Sequence, residues 1–140
     1  MKTTAGFSLI ELVTVLVIAG ILAAIAVPLF SQREIDATWF QEQVKAAVRH
    51  AQRQAVAQRR VVFVVLTAAT VELCYDAACT SRLTEIATPN AYTLNAPAGI
   101  VLTPVNFSFN GLGQPQPVTG ATFNVGTKAV TIVAETGYVP

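Results

Sequence analysis

The sequence has 140 residues and a mass of 14.8 kDa, the size of one domain or of one domain with an appendage. Hydrophobic residues make up 53% and charged residues only 12%, with a mean hydropathy of +0.53, which excludes a disordered chain. Lys+Arg 9 against Asp+Glu 8 leaves a net charge of +1, which argues against a basic nucleic-acid module.

The charge is unevenly placed. Lys2 precedes a long apolar run, and the 19 residues from Leu12 to Phe30 carry no charge at all. About 20 apolar residues suffice to span a bilayer as a helix. A lone N-terminal cation keeps the short N-terminus cytoplasmic, so the remainder is translocated. On the residues alone this is a membrane anchor or a secretory signal, with Ala24-Ile25-Ala26 as the A-x-A site. Glu11 counts against the secretory signal, because it puts a carboxylate inside the apolar run. An ionised side chain near the middle of a membrane helix costs about 2.5–3.5 kcal/mol, so Glu11 calls for a partner or a shallow position.

Gly6-Phe7-Ser8-Leu9-Ile10-Glu11-Leu12 resembles the processing signal of type IV prepilins and of type II secretion pseudopilins. The resemblance implies cleavage after Gly6 by a prepilin peptidase and N-methylation of the new terminus, Phe7. It also implies that Glu11 faces the terminal amine of a neighbouring subunit in a filament. Pro28 falls where such proteins often bend the helix; it has no N–H to give the preceding turn. Other pilin subunits, an inner-membrane assembly platform and membrane lipid are the implied partners.

Polar character begins at Ser31. Phe40, Val44, Ala47, Val48, Ala51 and Ala55 then recur at the spacing of a helix with one buried face. We expect one helix from about Phe7 to about Gln58, bent near Pro28 and roughly 75 Å long at ~1.5 Å per residue. Lys45, Arg49, Arg53 and Arg60 follow a second line, with no acid between Lys45 and Arg60. Such a stripe suits DNA phosphates, but a solvated helix face is the commoner use. His50, the only histidine, has no second ligand or nucleophile at readable spacing and reads as a surface residue.

After Arg60 the period changes to that of strands. Val61–Leu66 and Thr70–Tyr75 form a hairpin pattern. Tyr92–Asn95, Gly99–Thr103, Asn106–Phe109, Ala121–Val125 and Ala129–Ala134 are further strand candidates. Asn110-Gly111, Gly113, Pro115, Pro117 and Gly120 read as turns. The expected fold is α+β, an antiparallel sheet resting on the apolar face of the helix. The segments divide into a leader at 1–6, a transmembrane or assembly helix at 7–30, and a periplasmic domain at 31–140 with helix 31–58 and sheet 60–139.

Val48–Arg60 and Asn106–Pro115 are similar to the helix end and to the Phe-containing strand and Gly-x-Pro turn of GspH/FimT/MshC-like minor pilins and pseudopilins. DNA-uptake members of the FimT type end on a Gly-Arg-x-Arg element. Here the end is Gly137-Tyr138-Val139-Pro140, without either arginine.

Cys74 and Cys79 are the only cysteines. The translocated side is oxidising, so we expect a disulfide closing the small loop between them. A metal site needs two more ligands, and none lies nearby in sequence. The cysteine pair leans towards the MSHA-pilus type. Gly111-Leu112-Gly113 lacks the rest of a phosphate-binding loop, and no cofactor motif is present. The eight acids are scattered, and no nucleophile triad assembles, so no enzyme is expected. The sequence thus describes a structural filament subunit. A secretion pseudopilin and a DNA-binding minor pilin are the alternatives.

Overall fold

The computed structural model describes residues 8–84 and 90–140, with the side chains of 25–33 outside that description. The chain divides into two compact units, Met1–Ile35 and Asp36–Pro140. One helix, α1 (Leu9–Gln58), is shared between them, close to the expected span. The bend expected near Pro28 falls where side chains lie outside the described residues.

In the first unit, Ser8 begins the helix. Its carbonyl accepts from the N–H of Glu11 at 3.0 Å and of Leu12 at 3.2 Å. Thr14 returns its hydroxyl to the carbonyls of Ile10 at 3.0 Å and Glu11 at 2.9 Å, which spares the apolar stretch an unpaired polar group. Leu9, Ile10, Leu12, Val13, Val15, Leu16, Val17, Ile18, Ile21 and Leu22 are all exposed. Consecutive positions point all round a helix, so no face is reserved for a core. Among the described residues no helix is long and apolar enough to cross a membrane.

In the second unit α1 is one-sided. Phe40, Val44, Ala47, Val48, Ala51 and Ala55 are each at most 2% exposed, as their spacing predicted. The helix stops at a Schellman cap: the N–H of Arg60 bonds the carbonyl of Ala55 at 3.2 Å, and that of Arg59 the carbonyl of Val56 at 3.3 Å. Arg59 takes the left-handed conformation (φ 49°) that the cap requires.

Among the described residues seven strands follow: β1 (Val62–Leu66), β2 (Thr70–Cys74), β3 (Thr93–Asn95), β4 (Val105–Phe109), β5 (Pro115–Gln116), β6 (Ala121–Val125) and β7 (Lys128–Ile132). With α1 they give the expected α+β fold, the antiparallel strands being divided between two sheets. One has the order β3-β2-β1-β4-β5 and the other is the hairpin β6-β7. Strand β1 is central, with Val64 opposite Leu73 on one side and Phe107 on the other. Its alternate residues Val62, Val64 and Leu66 are buried, as the pleat demands. Phe107 stacks on Phe123 with ring centroids 6.2 Å apart, and there the two sheets share one core.

Two strand expectations need correction. Gly99–Thr103 is not a strand. Its donors are spent on different elements: Leu102 N–H bonds Ala68 O at 3.0 Å and Thr103 N–H bonds Asn124 O at 3.0 Å. With Gly99 at φ 86° and prolines at 97 and 104, the segment bridges the two sheets with no continuous ladder. Conversely, Pro115 and Gln116, read as part of a turn, pair with Phe109 and Ser108. A proline is tolerated there because β5 is an edge strand.

Candidate functional site

Gly6 and Phe7, the predicted processing residues, lie outside the described residues. Glu11 is exposed in the first turn of α1, where a carboxylate also complements the helix dipole. Pro28 is within α1, with its side chain outside the description.

Three of the four cations of the basic stripe have partners; Lys45 and Arg49 are half-buried, and Arg53 and Arg60 are exposed. Lys45 pairs with Glu42 at 3.0 Å, and its side chain is 17% exposed. Arg49 donates twice to the carbonyl of Val139, from Nε at 3.2 Å and from a terminal nitrogen at 3.0 Å. The Arg60 guanidinium lies 3.8 Å from the centroid of Tyr75, a cation–π contact. Arg53 makes no hydrogen bond or ion pair among the described residues and is exposed. The structure therefore does not gather the four cations on one open face.

Two glutamines missed in the sequence share this work. Gln41 Nε2 donates to Ala129 O at 3.1 Å on β7. Gln52 Nε2 donates to Gly113 O and to Thr136 O, both at 2.8 Å. Gln41, Arg49 and Gln52 lie beside the apolar stripe and supply donors to carbonyls of β7, of the turn at Gly113 and of the segment 136–139. Gly137 fits under this clamp. A Cβ there would stand 2.5 Å from Gly113 O and 2.7 Å from Gln52 Nε2, and its φ is 67°. The only sequence signal was the helical spacing of these polar residues, which alone does not separate a clamp from a wet face.

Cys74 and Cys79 form the expected disulfide, with Cα atoms 5.1 Å apart. Glu72 is close to both sulfurs, but sulfurs bonded to each other are not thiolate ligands. The enclosed loop is organised by Asp76. Its carboxylate accepts from Thr80 N–H at 2.9 Å, Thr80 Oγ1 at 3.0 Å and Ser81 N–H at 2.6 Å. These bonds, that of the Thr80 N–H first, hold the Asp76 carboxyl below its ordinary range. Tyr75 in the loop also takes a bond from Gln58 at 3.1 Å, which ties the loop to the end of α1.

His50 is half-buried, not a plain surface residue, and stacks on Tyr92 at 5.5 Å. Burial, with Arg53 second, lowers its pKa from the ordinary 6.5. Among the described residues no acid or second nucleophile is seen beside it.

Comparison with known proteins adds two findings. Residues 1–27 match the prokaryotic N-terminal methylation motif. Two crystal structures of the type IV minor pilin FimU from Pseudomonas aeruginosa share the fold, with TM-scores of 0.54 and 0.52. Sequence identity is 18% in both, over 71% of this chain and 82% or 86% of theirs. No curated protein matches the sequence.

Proposed function

We propose that this chain, a member of the type IV pilin superfamily by its methylation motif and its fold, is a minor pilin, a structural subunit of a type IV pilus. One observation carries the reading. Directly after the matched motif begins, α1 exposes every large apolar side chain from Leu9 to Leu22. A helix apolar on all sides belongs in lipid or inside a bundle of like helices. A filament subunit needs both, lipid before assembly and neighbouring helices after it.

In this reading a prepilin peptidase removes Met1–Gly6 and the new terminus Phe7 is methylated. The subunit waits in the inner membrane with its domain in the periplasm, and an assembly platform draws it into the filament. Glu11 then pairs with a neighbour's terminal amine, which offsets the cost of a carboxylate among apolar helices. Removal of Lys2 leaves Lys+Arg and Asp+Glu equal in number, so packed copies do not repel by net charge. The likeness to FimU supports a pilus over a secretion pseudopilus. The pairing of Lys45 with Glu42, of Arg49 with the Val139 carbonyl and of Arg60 with Tyr75 supports a structural role over capture of DNA.

The test is intact mass and N-terminal sequencing of the chain recovered from membranes and from sheared filaments. A methylated Phe7 terminus in both fractions is the expected result. A start at Val27, or an uncut Met1, overturns the reading.

A further inference from the structure

We propose that the domain carries a head-to-tail contact for a second copy of this chain. The Leu112 turn of one copy seats in a concavity formed by Asp36, Trp39 and Pro97 of the next, with Arg59 facing Asp36.

Leu112 is 80% exposed, yet the turn that presents it is rigid. Asn110 Oδ1 accepts from the N–H groups of Leu112 and Gln114, both at 3.0 Å. Gly113 N–H bonds Asn110 O at 2.9 Å. Gly111 packs on the backbone of Arg59, so closely that a Cβ would stand 3.0 Å from its carbonyl carbon. None of these bonds needs the leucine side chain. An apolar side chain held out on a stiff turn loses little freedom on docking. Val56, 48% exposed, and Arg59 flank it in one shallow depression.

The opposite end of the domain helix offers a matching hollow. Asp36, Trp39 and Pro97 line a concavity there, and Trp39 is 69% exposed beside the buried Phe40. Asp36 is exposed and makes no hydrogen bond or ion pair among the described residues, and the same holds for the Arg59 side chain. One end therefore offers a cation without a partner beside an apolar side chain, and the other an anion without a partner beside an apolar side chain, with the nearby Lys128 already engaged by Thr38. Asp36 and Arg59 lie 23 positions apart on one helix and its cap, about 35 Å at ~1.5 Å per residue, so one copy cannot satisfy itself. Two different surfaces that complement each other propagate a row instead of closing a dimer. The patch is small, so the contact depends on copies already gathered by their apolar helices. In that respect it rests on the filament reading above.

The test uses the full chain in membranes of a host with prepilin peptidase. Two tagged versions are co-expressed, one with Leu112→Cys and one with Trp39→Cys, both at exposed positions that the core does not need. Mild oxidation should give a mixed dimer, mapped to residues 112 and 39, that neither version forms alone. Asp36→Arg on the Trp39→Cys copy should cut its yield at least fivefold, and Arg59→Asp on the other copy should restore it. Absence of the mixed dimer in chains cut after Gly6, or a yield indifferent to the charge reversal, overturns the contact and leaves the filament reading standing. Chains left uncut at Met1 overturn both.

Discussion

Replacing Gln52 by alanine tests whether the C-terminal third is held by donors from α1. The side chain supplies two hydrogen bonds of 2.8 Å, to Gly113 O and to Thr136 O. The Gly113 bond is part-buried, so its carbonyl loses a partner that water replaces poorly. The Thr136 carbonyl is exposed and recovers a water. With ~1–1.5 kcal/mol for the first and ~0.5 for the second, the loss is about 2 kcal/mol. For a domain of this size that lowers Tm by roughly 8–12 °C. The assay is thermal unfolding of the full chain in mild detergent by circular dichroism, with Arg53→Ala as the exposed control at about 0.5 kcal/mol or less. Gln52→Glu sharpens the test, because it puts an oxygen where a donor stood. Carbonyls around the introduced carboxyl favour its protonated form and raise its folded pKa above ~4.3. Relative to the parent at the same pH, the variant is then least destabilised in acid, and the deficit grows as pH rises through that folded value. Gln52→Ala melting within about 2 °C of the Arg53→Ala control, or Gln52→Glu losing more stability on acidification than the parent does, would refute the clamp.

Three further expectations concern the loop and the histidine. Cys74→Ser with Cys79→Ser opens a loop of separation 5, and chain-entropy arithmetic gives a loss of about 2 kcal/mol, read as a lower Tm than the oxidised parent. Asp76 has a folded pKa below its ordinary 3.8, so its stabilisation is present above that value and lost as pH falls through the folded one. Amide exchange at Thr80 and Ser81 should therefore show steady protection from neutral pH down to mild acid, and Asp76→Asn should weaken it at neutral pH. His50 also has a lowered pKa, so the unfolded chain takes up its proton first and stability falls as pH drops below 6.5. NMR titration should place His50 below 6.5, and Arg53→Ala should move it upward; an unmoved value would sink the assigned contribution of Arg53.

What was legible in the sequence followed periodicity. The six apolar positions from Phe40 to Ala55 repeat at helical spacing, and all six are buried. The β1–β2 hairpin and the β6–β7 pair alternate cleanly, and their partners are near in sequence. The division into two sheets was not legible, because it is set by pairings far apart in the chain, β1 with β4 and Leu102 with Val125. The segment 99–103 has β-branched and apolar residues, but its hydrogen bonds go to two different elements. The partners of the basic stripe were not legible for a related reason. Spacing places Lys45, Arg49 and Arg53 on neighbouring turns, but only the fold brings Val139 O under Arg49. Asp76 was passed over as one of eight scattered acids; its distance of four and five residues to Thr80 and Ser81 is a loop-capping pattern.

The two halves of α1 solve different problems, and this gives a prediction about the domain alone. Among the described residues, every member of the buried core comes from Phe40 or later. Its flanks are closed by Gln41, Arg49 and Gln52 and by the disulfide loop on Tyr75. None of these contacts uses a residue before Asp36. The apolar side chains from Leu9 to Leu22 are exposed, so removing them takes nothing from the core. A chain starting at Asp36 should therefore fold, with an acidic residue at the new helix start to suit the dipole. Its loss relative to the full chain should be within about 1 kcal/mol, from fraying of the first turn. Thermal unfolding and the amide-exchange protection of β1 and β4 would measure it. A truncated chain that is unfolded, or whose β1 amides exchange freely, would mean that the apolar segment supports the domain. The segment would then not be free for lipid and for neighbouring helices.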